Sequence, residues 1–143
     1  MAVATRVVVV VAVGLSLGAG SLQMKPARQG VCDREGEKVV GHKPVHVGGS
    51  IKAPKQVRHV APKYPEFPPG TVGRGMWIGE ALIDGTGKVT HVWPIREPEL
   101  TPPFPAFNAA IVDAIRQWMF EPLIIEGKPI AVCMTATLNI NWG

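Results

Sequence analysis

The sequence predicts an α+β fold: a small three-stranded antiparallel sheet packed on one main helix, preceded by an N-terminal apolar helix and an extended arm. Three stretches carry that prediction. Met76 to Trp93 reads as two strands joined by turn residues. Phe107 to Trp118 reads as a helix with one apolar stripe, and Pro129 to Trp142 reads as a last strand whose apolar and polar side chains alternate from Val132 onward. The helix supplies what the strands need, a surface against which to bury one face.

The helix has a start signal in Thr101-Pro102-Pro103, a hydroxyl that can cap followed by a proline suited to a first helical position. Phe107, Ala110, Ile111, Ala114 and Trp118 recur at spacings of three and four, while Asn108, Asp113, Arg116 and Gln117 fall mostly on the other side. Pro122 cannot continue the helix, so the stretch Asp113 to Pro122 is read as its end. In the hairpin, Met76 to Ile83 is rich in strand formers. Asp84-Gly85-Thr86-Gly87 supplies glycines that accept positive φ and an aspartate that can bond its own following backbone. Lys88 to Trp93 returns as the second strand, and Pro94 marks an edge or an end.

The last strand places Val132, Met134, Ala136, Leu138, Ile140 and Trp142 on one face. Cys133, Thr135, Thr137, Asn139 and Asn141 lie on the other, so Cys133 is expected to point away from the core. The chain has two cysteines, Cys32 and Cys133. Either they form one disulfide, with the arm carrying Cys32 across to the last strand, or both are unpaired thiols.

Of the 143 residues, the first 22 read as a signal peptide or membrane anchor, with Arg6 ahead of an uncharged run from Val7 to Leu17 and then Gly18-Ala19-Gly20-Ser21. The run is short for a span, which needs about 20 apolar residues, so a cleaved signal and a retained anchor are both open. In either case the remainder is exported. Residues 23–50 read as a flexible arm and 51–143 as the folded domain. In the arm, Gly41 and Pro44 weaken a short strand around Val39-Val40 and Val45-His46-Val47. Pro44 also keeps His42 and His46 off an ordinary helix, so the histidines read as scattered surface residues and no metal site is assigned.

The net charge is +4, or +3 without Arg6, and it is spread over Lys25 to Arg74. Nucleic-acid binding would call for a dense basic stripe with aromatics, and none is present. No metal-binding His-Glu-x-x-His pair, nucleophile elbow or phosphate-cradling loop occurs. Gly85-Thr86-Gly87 lies in a hairpin and does not open a helix, so it has no helix N-terminus to hold a pyrophosphate. Glu97 and Glu99 sit in a proline-bounded loop with no partner to tune them. The reading is of a non-enzyme without a cofactor.

Taken in order, Lys63-Tyr64-Pro65, a strand, Ile83-Asp84-Gly85-Thr86-Gly87-Lys88-Val89, Ala110 to Pro122, Glu126-Gly127-Lys128-Pro129 and a terminal strand form a set that resembles the TonB C-terminal domain, over about residues 51–143. The resemblance implies a periplasmic domain that grips a short segment of a TonB-dependent outer-membrane receptor. Such a domain passes on energy from an inner-membrane proton-channel complex for uptake of siderophores or cobalamin. It implies strand addition at the terminal strand, where an extended peptide pairs its backbone with an open edge. Cys133, Thr135, Thr137, Asn139 and Asn141 would then flank the peptide, with Lys63, Tyr64 and Pro65 close by. The same edge would suit a second copy of the chain, giving a homodimer. The chain departs from the family at three points. Glu66-Phe67-Pro68-Pro69-Gly70 leaves little room for a first helix, the arm is short of the long spacer of full transducers, and Met1 to Leu22 has no histidine for a proton channel. These departures leave a second expectation beside the first, a free periplasmic adaptor or structural module of the same fold without energy coupling.

Overall fold

The structure is a computed structural model and describes residues 30–142. The expected N-terminal signal or anchor helix lies outside these residues. Among the described residues no helix is long and apolar enough to cross a membrane.

The elements run α1 (Val31–Val40), β1 (Val45–His46), β2 (Gln56–Arg58), β3 (Val72–Ile83), β4 (Val89–Arg96), β5 (Glu99–Thr101), α2 (Pro105–Arg116), β6 (Met119–Phe120), β7 (Leu123–Ile125), β8 (Lys128–Ile130) and β9 (Val132–Trp142). The main sheet has five strands in the order β1-β9-β3-β4, with β5 pairing β3 beyond the end of β4. It is mixed, because β1 runs parallel to β9 while the other pairings are antiparallel. A three-stranded antiparallel sheet on one helix is therefore incorrect. The hairpin β3–β4 and the long β9 are present, but β1 and β5 extend the sheet and a second helix covers its other face.

β3 is the central strand. It pairs with β9 without a register break from Gly73↔Trp142 to Ile83↔Val132. Its alternate residues Trp77, Ala81 and Ile83 are buried with Val89, Val92, Val132 and Ala136 against Phe107, Ile111 and Ile115 of α2. The Trp77 indole lies over Gly79, where a Cβ would collide with the ring, and its Nε1 donates to Asn108 Oδ1 at 2.6 Å. The β3–β4 turn is closed by Asp84, whose Oδ1 accepts from Thr86 N, Thr86 Oγ1 and Lys88 N at 2.9, 2.6 and 3.1 Å. Partial burial of the Asp84 carboxyl raises its pKa, but these bonds and the nearby Lys88 charge outweigh that and hold it below the usual value.

Two sequence expectations about elements are overturned. The helix starts at Pro105 rather than after Thr101, and it ends at Arg116, well before Pro122. The last residues are drawn off by tertiary pairing: Met119 and Phe120 form a ladder with β2, and Phe120 N donates to Gly87 O at 2.8 Å. Trp118 thus leaves the helical stripe, and its Nε1 donates to Val60 O at 2.8 Å. The second correction concerns the arm. Residues 31–40 are a helix, not an extended tether, and they pack on the sheet face opposite α2 through Cys32, Leu82, Ala131 and Cys133. Gly36 allows this approach, since a Cβ there would sit 3.1 Å from Pro44 and 3.2 Å from Leu82. The free N–H groups of the first turn are satisfied by carboxylates: Gly30 N donates to Asp33 Oδ2 at 3.0 Å and Cys32 N to Glu80 Oε2 at 2.7 Å. A disulfide joins Cys32 to Cys133 across 101 residues of chain.

Candidate partner-binding edge

The site is built from the backbone of β9. Val45 N donates to Ala131 O and Val47 N to Cys133 O, so odd-numbered residues at the start of β9 turn their main-chain groups away from β3. The uninterrupted β3–β9 register carries that alternation to the end of the strand. Thr135, Thr137, Asn139 and Asn141 therefore aim N–H and C=O outward. β1 covers only Val132 and Cys133. Among the described residues, no strand pairs with the outer edge from Thr135 to Asn141. Four residues' worth of main-chain donors and acceptors face outward there in strand geometry, the condition for adding a strand.

The side chains of Thr135, Thr137, Asn139 and Asn141 are exposed, and Ala136, Leu138 and Ile140 turn toward α2. The short, polar outer side chains leave an incoming backbone room to approach. They stand beside Ile78 and Met76, the register partners of Thr137 and Asn139 on β3, so the surface next to the edge is partly apolar.

The sequence-predicted residues do not all come together. Cys133 is excluded from the edge: its sulfur is bonded to Cys32, its side chain is fully buried beneath α1, and its outward carbonyl is taken by Val47. Its expected direction away from α2 is observed, but a second helix lies there. Tyr64 sits at the far end of β9, stacked on Phe107 with centroids 4.8 Å apart and facing the Trp142 ring edge-on at 6.3 Å. Burial pushes the Tyr64 hydroxyl above its ordinary pKa. Lys63 and Pro65 flank it on the surface.

Two residues that the sequence reading did not assign to the site belong to this end of it. Phe67 packs on Trp142 at 4.3 Å and on Phe104 at 5.1 Å. Trp142, assigned to the core face by alternation, is 42% exposed. An aromatic corner of Tyr64, Phe67 and Trp142 thus lies on the α2 face at one end of β9, and β1 pairs at the other. The only signal for it in the sequence was the concentration of aromatic residues among prolines at 64–69.

The fold and this edge define a class: a mixed sheet between two helices, with one long strand half uncovered. No model of a known protein family and no curated protein matches the chain.

Proposed function

We propose that the protein is an exported, non-catalytic binding module that adds an extended segment of a partner protein to the outer edge of β9. This is the mode of the TonB C-terminal domains it resembles, whose partners are segments of outer-membrane receptors in siderophore or cobalamin transport. The observation that carries the proposal is the row of outward main-chain groups from Thr135 to Asn141, with β1 pairing at one end of β9 and the Tyr64–Trp142 corner on the α2 face at the other. Pairing there supplies affinity through the backbone, and the aromatic corner supplies an apolar surface for one peptide side chain.

A specific observation favours the second expectation, a module without energy coupling. Residues 31–50, the greater part of the arm, belong to the fold through α1, β1 and the Cys32–Cys133 bond. Seven residues, 23–29, separate the apolar segment from Gly30. Fully extended they span at most about 25 Å at roughly 3.5 Å per residue. A domain so tethered to an inner membrane stays beside it, whereas a transducer must reach the outer membrane. Release by signal cleavage removes the tether but also the link to a proton channel.

The test is titration of the labelled protein with a synthetic peptide of a receptor N-terminal segment. Amide shifts confined to residues 134–142 and Tyr64 are expected, and a spectrum unmoved at millimolar peptide refutes strand addition of that class. Light scattering on the protein alone reads the competing occupant: a stable dimer whose edge amides are already protected would assign the edge to a second copy.

A further inference from the structure

At the other end of β9, beyond the open edge, donor atoms of Asp33, His46 and Cys133 all lie within 4.8 Å of one another. The Cys133 sulfur is bonded to that of Cys32. Four side chains from three elements therefore meet: Cys32 and Asp33 from the first turn of α1, His46 from β1 and Cys133 from β9. The parallel pairing of β1 places His46 directly beside Cys133, and His46 Nδ1 lies 3.6 Å from Asp33 Oδ1. Both cysteines are fully buried. The Asp33 side chain is 14% exposed and that of His46 40%, which leaves one solvent-facing side for an ion to enter.

We propose that, once the Cys32–Cys133 bond is reduced, this cluster is a Zn²⁺ site formed by two thiolates, one imidazole and one carboxylate. Zinc takes such donors tetrahedrally at about 2.0–2.3 Å, which sets donor atoms about 3.3–3.8 Å from one another. The donor atoms of Asp33, His46 and Cys133, already within 4.8 Å of one another, need to close by about 1.5 Å at most. Asp33 Oδ2 accepts from Gly30 N at 3.0 Å, the kind of outer hydrogen bond that fixes a ligating carboxylate.

Disulfide and ion are alternative clasps, because bonded sulfurs offer no thiolate. In the exchange, a dithiol reductant gives two electrons and two protons to the Cys32–Cys133 bond and itself becomes a disulfide. The two thiols formed then release their protons to solvent as Zn²⁺ binds. Either clasp ties α1 to β9, and the ion also takes in β1 through His46, so the fold is held under oxidising and reducing conditions alike. The site shares no residue with the open edge from Thr135 to Asn141, so it stands or falls separately from the proposed function.

The experiment uses the full chain, reduced with a phosphine under argon and titrated with Zn²⁺ and with Co²⁺ as a spectroscopic stand-in. One ion per chain is expected, with the visible bands of tetrahedral cobalt and thiolate-to-cobalt charge transfer. His46→Ala should weaken binding by more than about a hundredfold, beyond what losing an outer-shell partner costs. His59→Ala, a histidine elsewhere, should leave it unchanged. Reduced protein that takes up no tetrahedral cobalt, or a His46→Ala variant that binds like the wild type, overturns the proposal and leaves a disulfide beside an incidental His–Asp pair. Should reduction unfold the chain, Zn²⁺ must restore the native melting transition in the wild type and not in His46→Ala; failure to restore it refutes the site equally.

Discussion

Thr137→Pro separates main-chain pairing from folding. By the alternation set at Ala131 and Cys133, the Thr137 N–H points out of the sheet. Removing it breaks no bond to β3, and proline is accepted on an edge whose N–H faces solvent. The variant should therefore stay folded. An added strand, by contrast, loses a hydrogen bond and leaves its own carbonyl unsatisfied against the proline ring, at about 1–3 kcal/mol. With 1.4 kcal/mol per tenfold, that is a loss of roughly 5- to 150-fold in peptide affinity. Leu138→Pro is the contrasting variant. Its N–H points to β3 opposite Trp77, so it should unfold the domain, because it deletes a ladder bond next to the core. Thr137→Val keeps the backbone and should bind almost as the wild type does. Peptide titration by calorimetry, with thermal unfolding of each variant, reads all three. Unchanged affinity in a folded Thr137→Pro protein would place the site elsewhere, and unfolding of Thr137→Pro with a stable Leu138→Pro would show the strand's parity to be reversed.

The remaining predictions concern what holds the scaffold. Replacing Cys32 and Cys133 together by serine should cost about 2–5 kcal/mol, since the bond closes a loop of 101 residues; urea unfolding should show this, and an unchanged midpoint would mean α1 docks without the clasp. Phe107→Ala, at a site 2% exposed, should cost about 3–5 kcal/mol. It should cost more than Trp118→Ala, whose ring is only partly buried, and the reverse order in denaturant titrations would contradict the described helix end. Asp84 has a folded-state pKa below its unfolded value, so its contribution is present above about pH 3.9 and is lost as pH falls through the lower folded value. Asp84→Asn should therefore lie below the wild type in melting temperature at neutral pH and converge with it in strong acid; a gap that stays constant to low pH would rule out the turn carboxylate as its source.

The sequence by itself determined the elements whose causes are local. The β3–β4 turn follows from Asp84 reaching Thr86 and Lys88, two and four residues on. The faces of β9 follow from period-two alternation, and the buried side of α2 from the spacing of Phe107, Ile111 and Ala114. The same alternation put the polar side chains of Thr135, Thr137, Asn139 and Asn141 on the face away from α2. What alternation cannot supply is the number of neighbours a strand has. α1 contains Gly36 and five charged residues and has little intrinsic claim to a helix. It forms where Glu80, 48 residues distant, receives Cys32 N, and where Cys133 receives the sulfur. β1 exists only through pairing with β9, and α2 stops at Arg116 because Met119 and Phe120 gain more by pairing with β2. Each of these depends on groups far apart in the chain meeting in space. Only the tertiary structure could decide that Cys133 is enclosed while Thr135 to Asn141 remain at a rim, since one short parallel strand and one disulfide draw that boundary.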